Sequence, residues 1–441
     1  MAAQENLLSL DLLDQLISFD TTASTITTSD QSNLPLIEFV QDYLGQLGVQ
    51  STLTYDQSRR KANLFATIGP SDQPGVILSG HTDVVSVRDQ NWTVDPFSVT
   101  ERDGRLYGRG TADMKGFIAT ILAFSRIFLE RDIKIPVHYA LSYDEEIGAL
   151  GVPLLIEDMK ERVALPIACI VGEPSYMRVV TAHKGKIVCR AEFRGKEAHT
   201  GVPHIGANAI EAAGKTIAYI SNMGRQFRDE GPYDKDFEAP IYTTVQVCIV
   251  EGGIAVNTVP NFASFDFDIR YLPCQDPYQI LGDIRGFMEE STLPELRKIS
   301  TETSVEVIVY PGAAIALDTP EDDMIALLAK GLTGENEVRK VGFGTEAGYF
   351  QQAGIPTVVC GPGHVDQAHQ PDEFVELEQV ALCEQFFHRL TENNQRKWMF
   401  RTAFYHKYNQ LTDQGYDKGR AKEFSKNFAL KMVNGWAYEY S

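Results

Sequence analysis

The chain has 441 residues, 43% hydrophobic and 23% charged, with a formal net charge of -20 at pH 7. At roughly 100–200 residues per domain, that length predicts two or three domains. So acidic a chain has no general electrostatic reason to bind nucleic acid or an anionic membrane, and no run approaches the ~18 apolar residues of a membrane span.

The N-terminal text MAAQENLLSLDLLDQLISFDTT has neither the basic start nor the continuous apolar core of a secretion signal. Leu8, Leu12, Leu13 and Leu16 recur at helical spacing and predict an amphipathic first helix. Four later runs, GVILSG (75–80), IPVHYALS (135–142), IACIVG (167–172) and PTVVCG (356–361), are mainly apolar rather than alternating, as in strands covered on both faces. Helical text such as GFIATILAFSRIFLE (116–130) lies between them, so an α/β domain with a mainly parallel sheet is expected.

Between residues 181 and 310 the texture changes. KIVCRAEF, TTVQVCIV, ASFDFDIRYL and SVEVIVY alternate, as in an antiparallel sheet with one covered face, and the helical segments GANAIEAAGKTIAYI and PYQILGDIRGFMEE separate them. The expected organisation is an α/β domain in two parts, 1–180 and 311–392, with a smaller α+β domain, 181–310, inserted between them. Insertion predicts a hinge pair and a cleft, a usual place for a ligand. Residues 393–441 form a basic, aromatic extension with nine Lys or Arg against four Asp or Glu, and read as two amphipathic helices. Charge and apolar content favour packing on the acidic body, with a partner-binding module or a nucleic-acid contact as alternatives. The six cysteines (169, 189, 248, 274, 360 and 383) contain no C-x-x-C pair and sit mostly in apolar text, as reduced core residues of a cytoplasmic protein would.

Each of the four apolar runs is followed by residues that can bind a metal. LSGHTDVV offers His81 and Asp83; LSYDEEIG offers Glu145 and Glu146; IVGEPS offers Glu173; GPGHVDQAHQPDEF offers His364 and His369. LYGRGTADMKG adds Asp113 in a glycine-rich turn that opens a helix. Singly, a histidine after a strand is more often a hydrogen-bonded structural residue, and an acidic triplet is more often a solvated turn. Together they would gather where parallel α/β sheets hold ligands, outside the carboxyl ends of the strands. Histidine and carboxylate without thiolate suit Zn²⁺, Co²⁺ or Mn²⁺, and five ligands exceed the needs of one tetrahedral ion. Two ions about 3.5–4 Å apart, bridged by a carboxylate and a water, fit better.

Other patterns lead nowhere. GRGTAD (108–113) has Asp113 where a dinucleotide fingerprint needs its third glycine. GFGTEA (342–347) matches G-x-G-x-x-A, but no clear strand precedes it in the text. AIEAAGKT has Ala209 in place of the first glycine of a phosphate loop and reads as helix interior, and there is no G-x-S-x-G elbow.

In order along the chain, SGHTDVV, LYGRGTADMKG, DEEIG, GEPS, GKEAHTGVPHIGANAI, NTVP and GPGHVDQAHQPDEF resemble the M20 family of di-metal peptidases and deacylases, over roughly residues 7–390. GTEAGYF and GPGHVDQAHQPDEF are most similar to its acetylornithine deacetylase branch. The resemblance implies that Asp113 bridges two zinc ions. His81 and Glu173 would complete one site, and Glu146 with His369 the other. It implies that Asp83 accepts the other ring N–H of His81 and that Glu145 is the general base. His199, on the inserted domain, would reach a partner subunit's site, Asn257 and Arg270 would contact substrate, and the inserted domain would be a lid through which the chain forms a homodimer. His364 matches no family role and is read as structural.

The chemistry is coherent on its own terms. Amide hydrolysis needs an activated water, a partner for the oxyanion and a proton for the leaving amine. Glu145 could move the proton, His199 could donate to the oxyanion, and Arg270 could clamp an α-carboxylate. Glu346 could pair with a substrate side-chain ammonium. The expected substrate is a small N-acyl amino acid, first N2-acetyl-L-ornithine, with another N-acyl amino acid or a dipeptide as runner-up. A non-catalytic metal-binding protein is the alternative from another class, and a glutamate that is not a ligand argues against it.

Overall fold

The computed structural model describes residues 2–131, 133–392, 411–412 and 415–426. The described chain divides into two compact units: residues 1–181, 319–338 and 349–441, and residues 182–318 with 339–348. Most of the expected extension 393–441 lies outside the described residues. Within it, 418–426 is helical, and Leu411, Ala421 and Ser425 are buried.

The first unit is built on a nine-stranded sheet, seven of whose strands run in the order Ser51–Tyr55, Ala62–Ile68, Val137–Ser142, Val76–His81, Ala168–Pro174, Thr357–Gly361 and Val179–His183. Its four central strands, from Val137–Ser142 to Thr357–Gly361, are parallel, and the flanking ones are antiparallel. Every residue of the four central strands is buried, which is why their text shows no alternation. Ala2–Ile17 and Leu377–Thr391 pack against Lys115–Glu130. That middle helix is apolar almost all round and buried along most of its length, with Phe117 and Phe124 meeting Phe387 at ring separations of 5.8 and 5.6 Å. Each such fully buried side chain contributes roughly 1.5–3 kcal/mol relative to exposure, so the core holds the strand ends in fixed register.

The second unit is a four-stranded antiparallel sheet in the order Thr244–Gly252, Phe262–Tyr271, Gly185–Arg194 and Ser304–Val309. Gly185–Arg194 alternates strictly between buried and part-exposed residues, as one covered face requires. Helices Ala209–Glu230 and Pro277–Phe287 supply the cover. The side chains of Asn208 and Asp276 cap them by accepting amides of their first turns. Ile220, Leu281 and Ile284 close the core over Phe193, Phe265 and Phe267.

Candidate metal centre

In the first unit the parallel register brings His81, Glu145, Glu146, Glu173 and His369 to the carboxyl edge of the sheet. His81 ends Val76–His81 and stands opposite Ser142, while Glu173 is the penultimate residue of its own strand. Glu145 and Glu146 follow Val137–Ser142, and His369 lies in the loop after Thr357–Gly361. Asp113 occupies the turn that enters helix Lys115–Glu130. Gly172 and Gly361 permit this convergence. A Cβ at Gly172 would stand 2.0 Å from the Phe117 ring, and one at Gly361 would stand 1.9 Å from the Gly172 carbonyl oxygen.

Asp113 is the centre of the cluster. Its Oδ1 lies 2.9 Å from Nε2 of His81, and its Oδ2 lies 3.2 Å from Nε2 of His369. His369 Nε2 is also 3.0 Å from Glu146 Oε2, and His81 Nε2 is 3.6 Å from Glu173 Oε1. His81, Asp113 and Glu146 each present a ligand atom within 4.8 Å of the others, and so do His81, Glu145 and Glu173. Glu145 therefore also lies within reach of candidate donors, with His81 and Glu173.

Nδ1 of His81 is 3.0 Å from the backbone carbonyl of Asp83, which can only accept. The ring proton is thereby assigned to Nδ1, and the Nε2 lone pair is left for a cation. The Asp83 carboxylate was expected to do this. It sits 3.7 Å from that nitrogen, and accepts the amides of Glu145 and Glu146 at 3.1 and 3.0 Å. The reason is geometric: a residue two positions past a strand-end histidine turns its own carbonyl back to the ring, which frees the side chain to reach the neighbouring strand's loop. Asp144 also departs from the solvated turn residue that its text suggests. It is buried, holds a left-handed φ of 56°, and pairs with the buried Lys61, whose Nζ also donates to Asp30 Oδ1 at 2.5 Å.

Burial pushes the carboxyls of Glu145, Glu146 and Glu173 up, and the charge of Asp113 adds to each. Burial works against ionised Asp113 as well, but hydrogen bonds from His369 and His81 hold it well below the usual carboxylate range. His81 would be lowered by burial, yet Glu173, Asp113 and Asp83 outweigh that and raise it. Four carboxylates against two imidazoles leave negative charge that a divalent cation would offset, and all donors are imidazole nitrogen or carboxylate oxygen. The residues fit Zn²⁺, Co²⁺ or Mn²⁺.

Residues 77–393 match the model of peptidase family M20/M25/M40. The chain belongs to this family. It is 34% identical over 383 residues to the acetylornithine deacetylase of Pasteurella multocida (strain Pm70), with 86% of this chain and 96% of the relative covered. It is a metal-dependent amidohydrolase similar to acetylornithine deacetylase. Among solved structures, the fold is similar to an M20 family metallo-carboxypeptidase from Sulfolobus solfataricus (TM-score 0.66, 19% identity, 86% of this chain and 98% of that one). It is also similar to a dinuclear metal-binding M20 peptidase from Bacillus subtilis (TM-score 0.62, 15% identity, 88% and 98% covered).

The second unit of this M20 chain carries the remaining candidates. His199 and Asn257 are neighbours: Ala198–His199 pairs with Thr258–Val259, and the Thr200 amide donates to the Asn257 carbonyl at 3.0 Å. Both residues are exposed. The Gly201 amide donates to Nδ1 of His199 at 3.0 Å, so a neutral ring carries its proton on Nε2, as a donor. Arg270 stands apart on Phe262–Tyr271 with its Nε on Asp268 Oδ1 at 3.1 Å, and Glu346 is fully buried. His364, outside the cluster, accepts the Asp366 amide and packs edge-on against Tyr176.

Two expectations from the text change. A strand, Val338–Val341, does precede GFGTEA, and the short helix Ala347–Gln352 follows it. Of the cysteines, 169, 189, 360 and 383 are buried, while Cys248 and Cys274 are exposed. Sequence reasoning also passed over Gln90, Arg109 and Glu373, which hold the Asp113 and His369 segments. Arg109 and Glu373 both lie inside the quoted motifs, so that position was the available signal.

Proposed function

We propose that this chain is a di-zinc deacetylase that hydrolyses the amide of an N-acyl amino acid, N2-acetyl-L-ornithine first, to L-ornithine and acetate. The observation that carries the reading is the placement of Asp113 between two histidines, with Oδ1 2.9 Å from His81 Nε2 and Oδ2 3.2 Å from His369 Nε2, as a carboxylate shared by two ions would need. The deacetylase relative supports the substrate. His81 and Glu173 would hold one ion, and Glu146 and His369 the other, with Asp113 shared. Bound there, Zn²⁺, or Co²⁺ or Mn²⁺ in its place, supplies a Lewis acid that makes water acidic near neutral pH and polarises the acyl carbonyl.

Glu145 takes the proton from the attacking water and returns it to the departing nitrogen. Its burial and its acidic neighbours raise its affinity for that proton. Asp83 fixes the two glutamate amides and so the direction of both side chains. His199 donates from Nε2 to the oxyanion, Asn257 steadies the substrate beside it, and Arg270 clamps the α-carboxylate. Glu346 is the residue assigned to the substrate's side-chain ammonium.

A cytoplasmic homodimer joined through the second unit is part of this reading. Thr244–Gly252 is an edge strand of that unit's sheet, and Ile249, Val250, Ile254 and Val256 on and beyond it are exposed. An apolar open edge is a template for pairing with another strand. Among the described residues, no helix is long and apolar enough to cross a membrane.

The test is metal analysis of the purified chain with an assay for ornithine release. Two ions per chain and turnover of acetylornithine at a kcat/KM above that for other N-acyl amino acids and dipeptides are expected. Two ions without ornithine release would refute the substrate assignment.

A further inference from the structure

The turn that presents Asp113 and the loop that presents His369 are tied together twice, by residues that are not ligand candidates. Glu373, four residues after His369, is fully buried beneath the Asp113 turn. Its Oε1 accepts the amides of Gly110, Ala112 and Asp113 at 3.0, 3.0 and 3.1 Å, and its Oε2 pairs with Nη1 of Arg109. Its own carbonyl accepts the Gly108 amide at 2.9 Å.

Arg109, four residues before Asp113, reaches the other way. Its Nη2 donates to Oε1 of Gln90 at 2.7 Å, and Nε2 of Gln90 donates to the His369 carbonyl at 2.8 Å. Trp92 braces the link, with Nε1 on the same Gln90 oxygen at 3.0 Å and its ring 5.1 Å from the Arg109 guanidinium. The grips are crossed. The His369 segment holds Asp113 through Glu373, and the Asp113 segment holds His369 through Arg109 and Gln90.

Two physical points make this more than packing. A buried ion pair seldom stabilises a fold better than apolar residues of the same volume, and this one also fixes three backbone amides of the Asp113 turn, which apolar residues could not do. The loop it grips is also in a conformation that must be imposed: His369 and Asp372 both hold left-handed φ values, 64° and 54°.

We infer that the Arg109–Glu373 pair, extended through Gln90, is a positioning clamp that sets the separation of Asp113 from His369, the shared and the terminal donor of the ion proposed for the Glu146–His369 site. The inference rests on the di-metal reading above. The clamp touches neither substrate nor metal; it acts through the two ligands, whose displacement by even 1 Å is costly.

The test is Zn²⁺ titration into the chelator-stripped full chain, wild type against Glu373→Gln and Gln90→Ala. Glutamine at 373 keeps the size and one acceptor oxygen, but cannot serve the amides and Arg109 together. Gln90 is only part-buried, so its variant tests the clamp should Glu373→Gln fail to fold. At least one of the two ions should bind about 10–100-fold more weakly in each folded variant, while the melting temperature of zinc-free Gln90→Ala stays at the wild-type value. Wild type with two tight ions and variants that bind both as tightly would overturn the clamp alone. Wild type that binds no zinc would overturn the di-metal reading, and the clamp with it.

Discussion

The carboxylate of Asp83 accepts the backbone amide of Glu146 at 3.0 Å, joining the end of one parallel strand to the loop that follows its neighbour. With the Glu145 amide on its other oxygen, one side chain orients two residues of different proposed function. Asp83→Asn keeps the shape but turns an N–H donor toward one of those amides. A fall in kcat/KM of roughly 10–100-fold is expected, read by steady-state assay beside a melting curve that shows the fold intact. Wild-type turnover in the variant would leave Asp83 a merely local residue.

Glu145 and Glu146 should separate by metal content. Glu145→Gln should keep both ions and lose roughly 10²–10⁴-fold in kcat, the range of a general base. Glu146→Gln should lose turnover because it holds an ion poorly. Since Glu145 lies with His81 and Glu173 inside a ligand-sized cluster, a loss of metal in Glu145→Gln would instead make it a ligand.

Lys61 and Asp144 offer a test of the turn from its far side. Lys61→Met strands a buried carboxylate, and about 3–5 kcal/mol of stability should be lost, measured by denaturant unfolding. Adding Asp144→Asn removes the stranded charge in a residue type that tolerates the left-handed backbone, so much of the loss should return.

His138 predicts an acid limb in stability. Burial pushes its imidazole down to about 4, with Thr67 Oγ1 2.9 Å from Nδ1 and Phe65 stacked on the ring. The folded state therefore prefers the neutral ring. The effect on stability is nil above the unfolded pKa near 6.5, grows as pH falls below it, and is complete below about 4. Between pH 7.5 and 5 this group should cost about 2 kcal/mol. Subtracting the pH dependence of His138→Phe from that of wild type isolates it. Equal pH dependence in the two proteins would contradict the assignment.

The open edge strand carries the dimer proposal. Ile249→Lys with Val250→Lys places charge where strand pairing would occur. Light scattering should show a dimer for wild type and a monomer for the double variant, and a monomeric wild type would refute the interface.

Much of the centre was legible because strand ends are visible in text. Fully apolar runs locate buried strands, and the residues that follow must gather at one edge once the strands are parallel. His81, Glu146, Glu173 and His369 meet in space for that reason, and the turn into helix Lys115–Glu130 adds Asp113. What the text hid was side chain to backbone contact. The targets of Asp83 and Glu373 are amides 60 and 260 or more positions away, and an amide has no letter of its own. The text suggests a solvated or turn-capping Asp144 because its partner Lys61 lies 83 residues earlier. The strand before GFGTEA was missed because VRKV is short and half charged, and only its neighbours make it extended.

All the proposed metal ligands fall outside residues 182–318, while His199, Asn257 and Arg270 fall inside that insertion. On the proposed reading, the metal ligands are thus written outside the insertion, while the α-carboxylate clamp and the oxyanion donor are written inside it. Mutations near Asn257 and Arg270 can then retune which acyl amino acid is accepted while every metal ligand stays as it is. A lineage can then change diet while keeping its blade.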